Sequence, residues 1–236
     1  MKPPTTSADN GAAWEEAYQR FETTREEIDK FRRRLSSFGV NGWPRDAKIV
    51  ELFCGRGNGL RAWKTFGFTD LTGIDLSSRL VELVDPAFKK IVADARAIPL
   101  PDDSVDVISI HGGLHHLLKL PDDLRAVLLE CRRVLKDGGR LLIVEPWLTP
   151  FLRFVHWCCR RWFLRAFWPR LDALATMIEL EADTYFNWLR QLDVVVGVLR
   201  EIFPPETVRV SFGKLSYLAR CKRSGRAGSP ERRGDD

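Results

Sequence analysis

A strand-like run that ends in closely spaced glycines constrains the fold of this chain more than any other feature. Residues 49–53 are apolar except for Glu51, and Gly55, Gly57 and Gly59 follow at two-residue intervals before a helix-compatible segment. Glycine permits a positive φ and lets a ligand approach the main chain, and a helix that begins there presents free N–H groups. The pattern predicts a strand, a tight turn and a helix. By itself it is a weak signal of function, because a turn that merely connects two elements has the same sequence.

Strand-like and helix-like segments alternate further along the chain. The predicted strands cover residues 49–53, 71–76, 90–95, 105–110 and 140–146, a helix is predicted over 124–135, and residues 207–212 and 214–221 suit an antiparallel hairpin. Alternation of this kind favours right-handed crossovers and a doubly wound parallel sheet of the α/β class. Ligands of such sheets bind at the carboxyl ends of the strands.

Acidic residues stand at the ends of two predicted strands. Asp75 ends the second strand, twenty residues beyond Gly55, and Asp94 lies near the end of the third. In a strand–helix–strand unit this spacing places Asp75 beside the glycine turn, where its carboxylate can accept both hydroxyls of a ribose. The alternative is an exposed acid that caps the following helix. Together with the glycine turn, the spacing favours the ribose.

The composition is that of a globular protein, since 44% of the residues are hydrophobic and 29% are charged. The five cysteines are odd in number and lack metal-ligand spacing, and residues 1–11 are polar. We expect a cytoplasmic protein without disulfide bonds or a secretory leader.

The net charge of +5 is unevenly distributed. Residues 1–46 and 47–150 are each neutral overall, whereas 151–178 carry +4, 179–204 carry −3 and 205–236 carry +4. The excess charge favours a local anionic surface as partner over a chain that is basic throughout.

Residues 12–38 carry aromatic and aliphatic side chains at three- and four-residue steps, with charges between them. The pattern predicts an amphipathic helix, in one or two pieces. A helix that covers the sheet or the mouth of the site is favoured over one that binds a partner.

The motifs together resemble the class I S-adenosylmethionine-dependent methyltransferases, and most closely the bacterial group that includes the ubiquinone/menaquinone C-methyltransferases. The resemblance covers residues 45–146, and more loosely 205–222. It rests on the glycine motif at 51–59, the strand-end acid Asp75, the acid and proline-rich loop of 94–106, the Leu-His-His turn at 114–116 and the Arg-Val-Leu-Lys-Asp-Gly-Gly turn at 133–139. The chain departs from the family at Phe53, where many members carry a glycine. The resemblance implies a Rossmann-like, seven-stranded, mostly parallel sheet with an antiparallel C-terminal hairpin.

The resemblance also implies S-adenosyl-L-methionine as cofactor and assigns its contacts. Gly55 and Gly57 would cradle the amino-acid end, and Glu51 would order the loop and reach the ammonium. Asp75 would hold the ribose. The remaining expected contacts are Leu76 on the adenine, Asp94 on its amino group and Ala95 through its backbone. A nicotinamide dehydrogenase, the rival that the glycine turn alone would allow, lacks the later motifs.

Three histidines follow the fourth strand and are the candidate catalytic residues. His111 comes directly after the strand and would also lie at the methyl end of the cofactor, while His115 and His116 lie one turn farther on. An imidazole can remove a proton from an oxygen or carbon nucleophile near neutral pH. A structural role in the loop is the alternative for each of them, and Glu145 is a further candidate. We expect no metal site, because no carboxylate stands at ligand spacing from the histidines in the sequence.

Residues 147–171 are the least ordinary part of the chain, with five arginines, many aromatic side chains and no acidic residue. The arginines exclude a membrane-spanning helix, but a basic helix bordered by Trp and Phe is typical of a helix that lies on a membrane surface. Three interpretations stay open: a lid over a lipid-like or aromatic substrate, a contact with an anionic membrane, and a dimer or cap interface.

We therefore predict a methyltransferase that acts on a hydrophobic small-molecule or lipid-like acceptor, and that is cytoplasmic with a peripheral contact to the inner membrane face as an open alternative. Its expected parts are an N-terminal helical cap (1–46), a methyltransferase domain (47–222) with a helical lid insert at about 147–178, and a disordered basic tail (223–236). An RNA or protein methyltransferase is one alternative, although the neutral core makes nucleic acid an unfavoured partner. A non-catalytic binding protein with the same fold is the other.

Overall fold

The computed structural model describes residues 7–222, with side chains from residue 12 onward. The strands are β1 (Ile49–Leu52), β2 (Leu71–Asp75), β3 (Lys89–Val92), β4 (Val105–His111), β5 (Leu135–Pro146), β6 (Pro205–Ser211) and β7 (Lys214–Arg220). The α-helices are α1 (Ser7–Phe21), α2 (Thr24–Ser37), α3 (Asn58–Thr65), α4 (Ser78–Glu82), α5 (Asp122–Val134), α6 (Pro150–Cys159), α7 (Trp162–Phe167), α8 (Pro169–Leu180), α9 (Ala182–Arg190) and α10 (Leu192–Ile202).

The seven strands form one sheet in the order β3-β2-β1-β4-β5-β7-β6. The pairings from β3 to β5 are parallel, and β7 pairs antiparallel with both β5 and β6. The strand order reverses between β1 and β4, which opens a crevice at the carboxyl ends of these two strands. The predicted doubly wound sheet with a C-terminal hairpin is confirmed.

Helices cover the sheet on both faces. On one face, Leu60 and Trp63 of α3 pack with Phe31 and Leu35 of α2. On the other face α5, α9 and α10 bury an apolar layer that includes the fully buried Trp188. The amphipathic N-terminal segment thus consists of two helices, and α2 contributes its stripe to the core.

The break between α1 and α2 is built from a local signal. Thr23 accepts a hydrogen bond from the backbone N–H of Glu26, and the carboxylate of Glu26 accepts one from the backbone N–H of Thr23. This reciprocal capping box satisfies two N–H groups that a new helix leaves without partners.

The expectation of one basic helix in the aromatic segment was wrong in its continuity. The aromatic and basic segment forms three helices, because the chain leaves the helical path at Arg160–Arg161 and again before Pro169, whose ring fits the first turn of a new helix. Residues 182–202 also form two helices, α9 and α10, which meet at Gln191.

Two strands differ from their predicted bounds. Strand β3 ends at Val92, so Asp94 lies in the following loop, and β5 begins at Leu135, so the Gly-Gly turn lies inside the strand with Gly138 at a positive φ. No helix within residues 7–222 is long and apolar enough to cross a membrane. The division into cap, domain and lid stays a prediction, and the tail at 223–236 lies outside the described residues.

Candidate active site

The turn between β1 and α3 contains three residues in the left-handed region. Phe53, Gly55 and Gly57 have φ values of 55°, 51° and 78°. Phe53 is the position at which the family often has glycine, and its backbone adopts the conformation that glycine favours. Its ring fills the space next to Gly113, where any Cβ would overlap with it. The departure therefore couples the glycine turn to the turn after β4.

Asp75 lies beside the glycine turn, as its spacing predicts. Its Oδ2 accepts a hydrogen bond of 2.9 Å from the backbone N–H of Gly55, and its Oδ1 accepts one of 2.9 Å from the N–H of Ser77. Each carboxylate oxygen has two acceptor sites, so each retains one for a ribose hydroxyl.

Glu51 is the most unusual group of the turn. Its carboxyl is buried in β1, and it occupies the space where a Cβ of residue 59 would lie, which only glycine leaves open. Oε2 has no hydrogen-bond partner among the described residues. Burial, followed by the nearby carboxylates of Glu27 and Asp75, raises the pKa of Glu51 well above its usual range. A buried acceptor without a partner beside a glycine turn fits the ammonium of the cofactor's amino-acid end.

The predicted adenine contacts lie next along the sheet edge. Leu76 is 69% exposed, so its side chain is accessible to a ring that packs against it. Asp94 binds the guanidinium of Arg96 at 2.6–3.1 Å, and this interaction lowers the pKa of Asp94. The side chain of Ala95 is buried in the core, so only its backbone is available to a ligand.

The N-terminal helices lie over the glycine turn. The carboxylate of Glu27 in α2 accepts a hydrogen bond of 2.6 Å from the side-chain amide of Asn58, the first residue of α3. Glu15 in α1 forms ion pairs with Arg56 of the turn and with Arg79 of α4. The segment therefore covers the candidate cofactor site as well as the sheet.

His111 ends β4 in an apolar and cationic environment. Both of its ring nitrogens are buried without a hydrogen-bond partner in the described part of the chain, and its ring lies edge-on to Phe31 at 5.0 Å. Burial first, then Arg34, Lys30 and Lys214, lower the pKa of His111 well below its usual range. His111 is therefore a neutral imidazole with one donor and one acceptor available to a ligand.

His115 and Glu145 form a buried pair at the carboxyl ends of β4 and β5. The His115 Nδ1 lies 2.8 Å from Glu145 Oε2, while Glu145 Oε1 accepts hydrogen bonds of 2.8 Å from the backbone N–H groups of Gly113 and Leu114. Because a carboxylate only accepts, Nδ1 carries the proton and Nε2 is left as the acceptor. Glu145 positions both the turn and the imidazole.

His116 and His115 both approach Glu181, which lies just before α9. The distances are 3.6 Å from His116 Nδ1 and 3.9 Å from His115 Nε2 to the two carboxylate oxygens. The spacing in the sequence offered these histidines no carboxylate, but the fold brings Glu181 to them, and the three groups offer ligand atoms within 4.8 Å of one another. The expected absence of a metal site stays a prediction. Glu181 is distant in sequence, and only the packing of α9 on the turn after β4 brings it there. Burial raises the pKa of Glu181 to about 7.

Sequence reasoning did not assign Glu27 or Glu181 to the site. Neither belongs to a motif, and nothing in their local sequence distinguishes them from acids on a solvated helix face. Asp106, by contrast, binds within the chain, since it accepts hydrogen bonds from the backbone N–H of Lys48 and the ammonium of Lys136.

Comparisons with known proteins identify the family of the chain. A family model described as a methyltransferase domain matches residues 50–143. The chain is 36% identical over 120 residues to the demethylmenaquinone methyltransferase of Thermotoga maritima. This alignment covers 49% of this chain and 50% of that protein. It is 30% identical over 167 residues to the ubiquinone/menaquinone biosynthesis C-methyltransferase UbiE of Geotalea daltonii. This second alignment covers 60% of this chain and 68% of that protein.

The crystal structure of a SAM-dependent methyltransferase from Aquifex aeolicus has the same fold, with a TM-score of 0.57 at 15% identity over 88% of this chain and 98% of that one. The chain belongs to the class I S-adenosylmethionine-dependent methyltransferase family, and the cofactor of this family is S-adenosyl-L-methionine. The chain spans about half the length of the Thermotoga relative that it matches.

Proposed function

We propose that this protein transfers the methyl group of S-adenosyl-L-methionine to a hydrophobic small-molecule acceptor. The observation that carries the proposal is the buried carboxyl of Glu51, whose Oε2 lacks a partner beside the glycine turn. In a protein that only retained the fold, an apolar residue at this position would avoid the cost of burying a carboxyl. Here the carboxyl is retained together with Gly59, which leaves room for it.

The chain's own residues supply binding and orientation. Glu51 would receive the ammonium, the Gly55–Gly57 turn would follow the amino-acid end, and Asp75 would accept the two ribose hydroxyls with its remaining acceptor sites. Leu76 and Asp94 would contact the adenine. The bound cofactor supplies an electrophilic methyl carbon, so the protein's main contribution to the rate is to hold the acceptor atom in line and exclude water.

We assign proton removal to His115 within the Glu145 pair. The fixed Nδ1–H leaves Nε2 as the accepting atom, and the carboxylate of Glu145 stabilises the imidazolium that forms. His111 is less suited to the role, because burial and the nearby cations oppose its protonation. It would instead position the acceptor through a hydrogen bond from a neutral ring, and His116 would remain a neighbour of Glu181.

The acceptor class rests on chemistry and on the relatives. The Thermotoga relative is named for demethylmenaquinone, a quinone that becomes a phenol when reduced. Loss of a phenolic proton makes both the oxygen and the adjacent ring carbon nucleophilic, so one base at His115 would serve O- or C-methylation. The aromatic segment of residues 147–171, which lies beside this site, suits such an apolar ring. A reduced, prenylated quinone precursor is therefore the first acceptor to test.

The first test is calorimetric titration with S-adenosylhomocysteine. We expect micromolar binding by the wild type and loss of at least 100-fold in Asp75→Ala, since about 3 kcal/mol attends the loss of charge-assisted hydrogen bonds. Asp70→Ala is the matched control, because Asp70 precedes the amino end of the same strand and pairs with Lys89 on the surface. A folded wild type that binds no S-adenosylhomocysteine would overturn the proposal.

A further inference from the structure

The most exposed aromatic side chains of the described residues are concentrated on α6, α7 and the hairpin beside them. Trp162 is 80% exposed, Phe167 88% and Phe212 78%. Phe151, Phe154, Trp157, Phe163 and Trp168 are each between 42% and 60% exposed as well. We call the surface formed by these eight side chains the aromatic face. Soluble proteins rarely leave so many large apolar side chains together in water unless they contact a partner.

Helix α6 divides cleanly into an inner and an outer side. Phe151, Phe154 and Trp157 recur at three-residue steps and share the outer side with Arg153 and Arg160. The Phe154 and Trp157 rings stack at 6.0 Å, and Phe151 meets Phe212 of the β6–β7 hairpin edge-on at 5.8 Å. The exposed rings of α6 and the hairpin are therefore continuous.

The inner side of α6 connects to the candidate active site. Cys159 is buried against Leu171 and Ala175 of α8. The His156 Nε2 lies 3.0 Å from the hydroxyl of Tyr185, and the Tyr185 ring lies edge-on to His115 at 5.9 Å. A surface that binds the outer side of α6 is thus separated from the proposed base by His156 and Tyr185.

The arginines of this segment fall into two groups. Arg165 pairs with Asp172 and Glu179, and Arg170 pairs with Glu26. Arg153, Arg160 and Arg161 form no ion pair with any residue between 12 and 222, and the Arg161 guanidinium instead lies over the Trp157 ring at 4.8 Å. The unpaired arginines are those that border the aromatic face.

We propose that the aromatic face binds the surface of an anionic lipid bilayer, with the rings at the headgroup–acyl boundary and Arg153, Arg160 and Arg161 on lipid phosphates. Trp, Phe and Arg together are the composition of interfacial helices. Helices α6 and α7 have ten and six residues, which suits lying in the interface plane. Arg153, Arg160 and Arg161 have no acidic partner among residues 12–222, so lipid phosphates would supply their counter-charge.

A second copy of the chain is a poorer occupant of this surface. A two-fold interface places the same patch of both subunits face to face, so three unpaired arginines would meet three others. A bilayer offers apolar depth and negative charge at the same place. The proposal does not depend on the enzymatic one, since binding can be measured without turnover.

Vesicle flotation of the full chain tests the proposal. Phosphatidylcholine vesicles are compared with vesicles that contain about one-third phosphatidylglycerol, at low salt and at about 0.5 M salt. We expect binding to the anionic vesicles at low salt, at least tenfold weaker binding at high salt, and little binding to phosphatidylcholine alone. A folded chain that does not float with anionic vesicles at low salt would overturn the proposal.

Two double variants locate the contact. Arg160→Gln with Arg161→Gln should weaken binding about 30-fold, at roughly 1 kcal/mol per basic residue near the surface. Trp162→Ser with Phe167→Ser should reduce binding even at low salt, because ring insertion is lost. The matched controls are Arg190→Gln with Arg200→Gln for charge and Leu129→Ser with Val194→Ser for exposed apolar area. Both controls should bind as the wild type does.

Three other results would refute the proposal. Undiminished binding by the aromatic and arginine variants would move the contact to another part of the chain. Lipid-free dimers that the Trp162→Ser, Phe167→Ser variant abolishes would make the aromatic face a subunit interface. Capture by single-stranded RNA in preference to anionic vesicles, lost in the arginine variant, would make it a nucleic-acid surface.

Discussion

The glycine turn (residues 51–59) and the aromatic insert (residues 147–171) differ in whether their side chains have partners within the chain. Around the turn, charged groups find partners within the chain: Arg56 pairs with Glu15, and both oxygens of Asp75 accept backbone hydrogen bonds. On the insert, Trp162 and Phe167 are more than three-quarters exposed, and Arg160 pairs with no described residue. The turn is complete except where a small ligand would complete it. The insert leaves several exposed rings and arginines without partners among the described residues, as expected of the proposed contact with a large surface.

The histidine turn after β4 lies between these two regions. Phe53 of the glycine turn packs against Gly113 of the histidine turn. On the other side, Tyr185 contacts both His115 and His156 of α6. An acceptor that enters from the insert would therefore meet His115 with the cofactor site on the far side. Four predictions test this arrangement, from the largest expected effect to the smallest.

His115→Asn should lower kcat about 10²–10⁴-fold, the range for loss of a general base. The Asn amide can still donate to Glu145, so the turn after β4 should keep its position. Affinity for S-adenosylhomocysteine should then stay within threefold of the wild type, because the glycine turn is unaltered. Steady-state kinetics measure kcat, and calorimetry measures the affinity for S-adenosylhomocysteine. A His111→Asn variant serves as the comparison. Normal turnover by His115→Asn would remove the Glu145 pair from the mechanism.

Glu51→Gln should weaken S-adenosylhomocysteine binding about 10–100-fold, corresponding to a lost charge-assisted hydrogen bond of about 1.5–3 kcal/mol. The same substitution should leave the free energy of unfolding unchanged or raise it, since burial disfavours the carboxylate and raises the pKa of Glu51. Calorimetry and urea denaturation are the two measurements. A large loss of stability with unchanged affinity would make Glu51 a structural residue.

Glu181→Gln should stabilise the protein in a pH-dependent way. The folded state holds the Glu181 proton up to a pKa of about 7, whereas the unfolded chain releases it at about 4.5. Wild-type stability should therefore fall as pH rises through this window, and the penalty should be complete above pH 7. The neighbouring His116 does little to stabilise the ionised carboxylate of Glu181, since burial and the adjacent His115 lower the pKa of His116.

The variant should consequently exceed the wild type by about 1–3 kcal/mol at pH 8 and by much less at about pH 4. Urea denaturation at the two pH values measures this difference. An equal difference at both values would show that folding leaves the pKa of Glu181 unchanged, whereas wild-type stability that rises with pH would show a carboxylate held ionised, as one bound to a cation would be. Repeating the titration with added Zn²⁺ and with EDTA would identify that case.

Trp162→Ser should change the free energy of unfolding by less than about 0.5 kcal/mol, because the Trp162 side chain is already largely exposed to water in the folded protein. Trp63→Ala provides the contrast within the same protein, since Trp63 is fully buried and its truncation should cost about 3–5 kcal/mol. Thermal or urea denaturation compares the two. Strong destabilisation by Trp162→Ser would mean that the aromatic face is packed within the chain, and the membrane proposal would lose its basis.

The sequence by itself determined the class of fold and the placing of Asp75 beside the glycine turn, at the proposed cofactor site. The glycine turn, the strand-end acid Asp75 and the alternation of strands and helices are local patterns, fixed by turn chemistry, backbone conformation and side-chain periodicity over a few residues. Even the Gly55–Asp75 contact follows from the constant length of one strand–helix–strand unit.

Only the tertiary structure decided how the histidine turn is surrounded. The Glu145–His115 bond depends on the parallel pairing of β4 with β5, and the approach of Glu181 depends on how α9 packs on that turn. The composition of the insert indicated a basic, aromatic surface, but its division into α6, α7 and α8 and the pairing of Arg165 but not Arg160 depended on which neighbours the fold supplied. Contacts between residues far apart in sequence carry no local signal, because each partner alone has the sequence of an ordinary solvated or core residue.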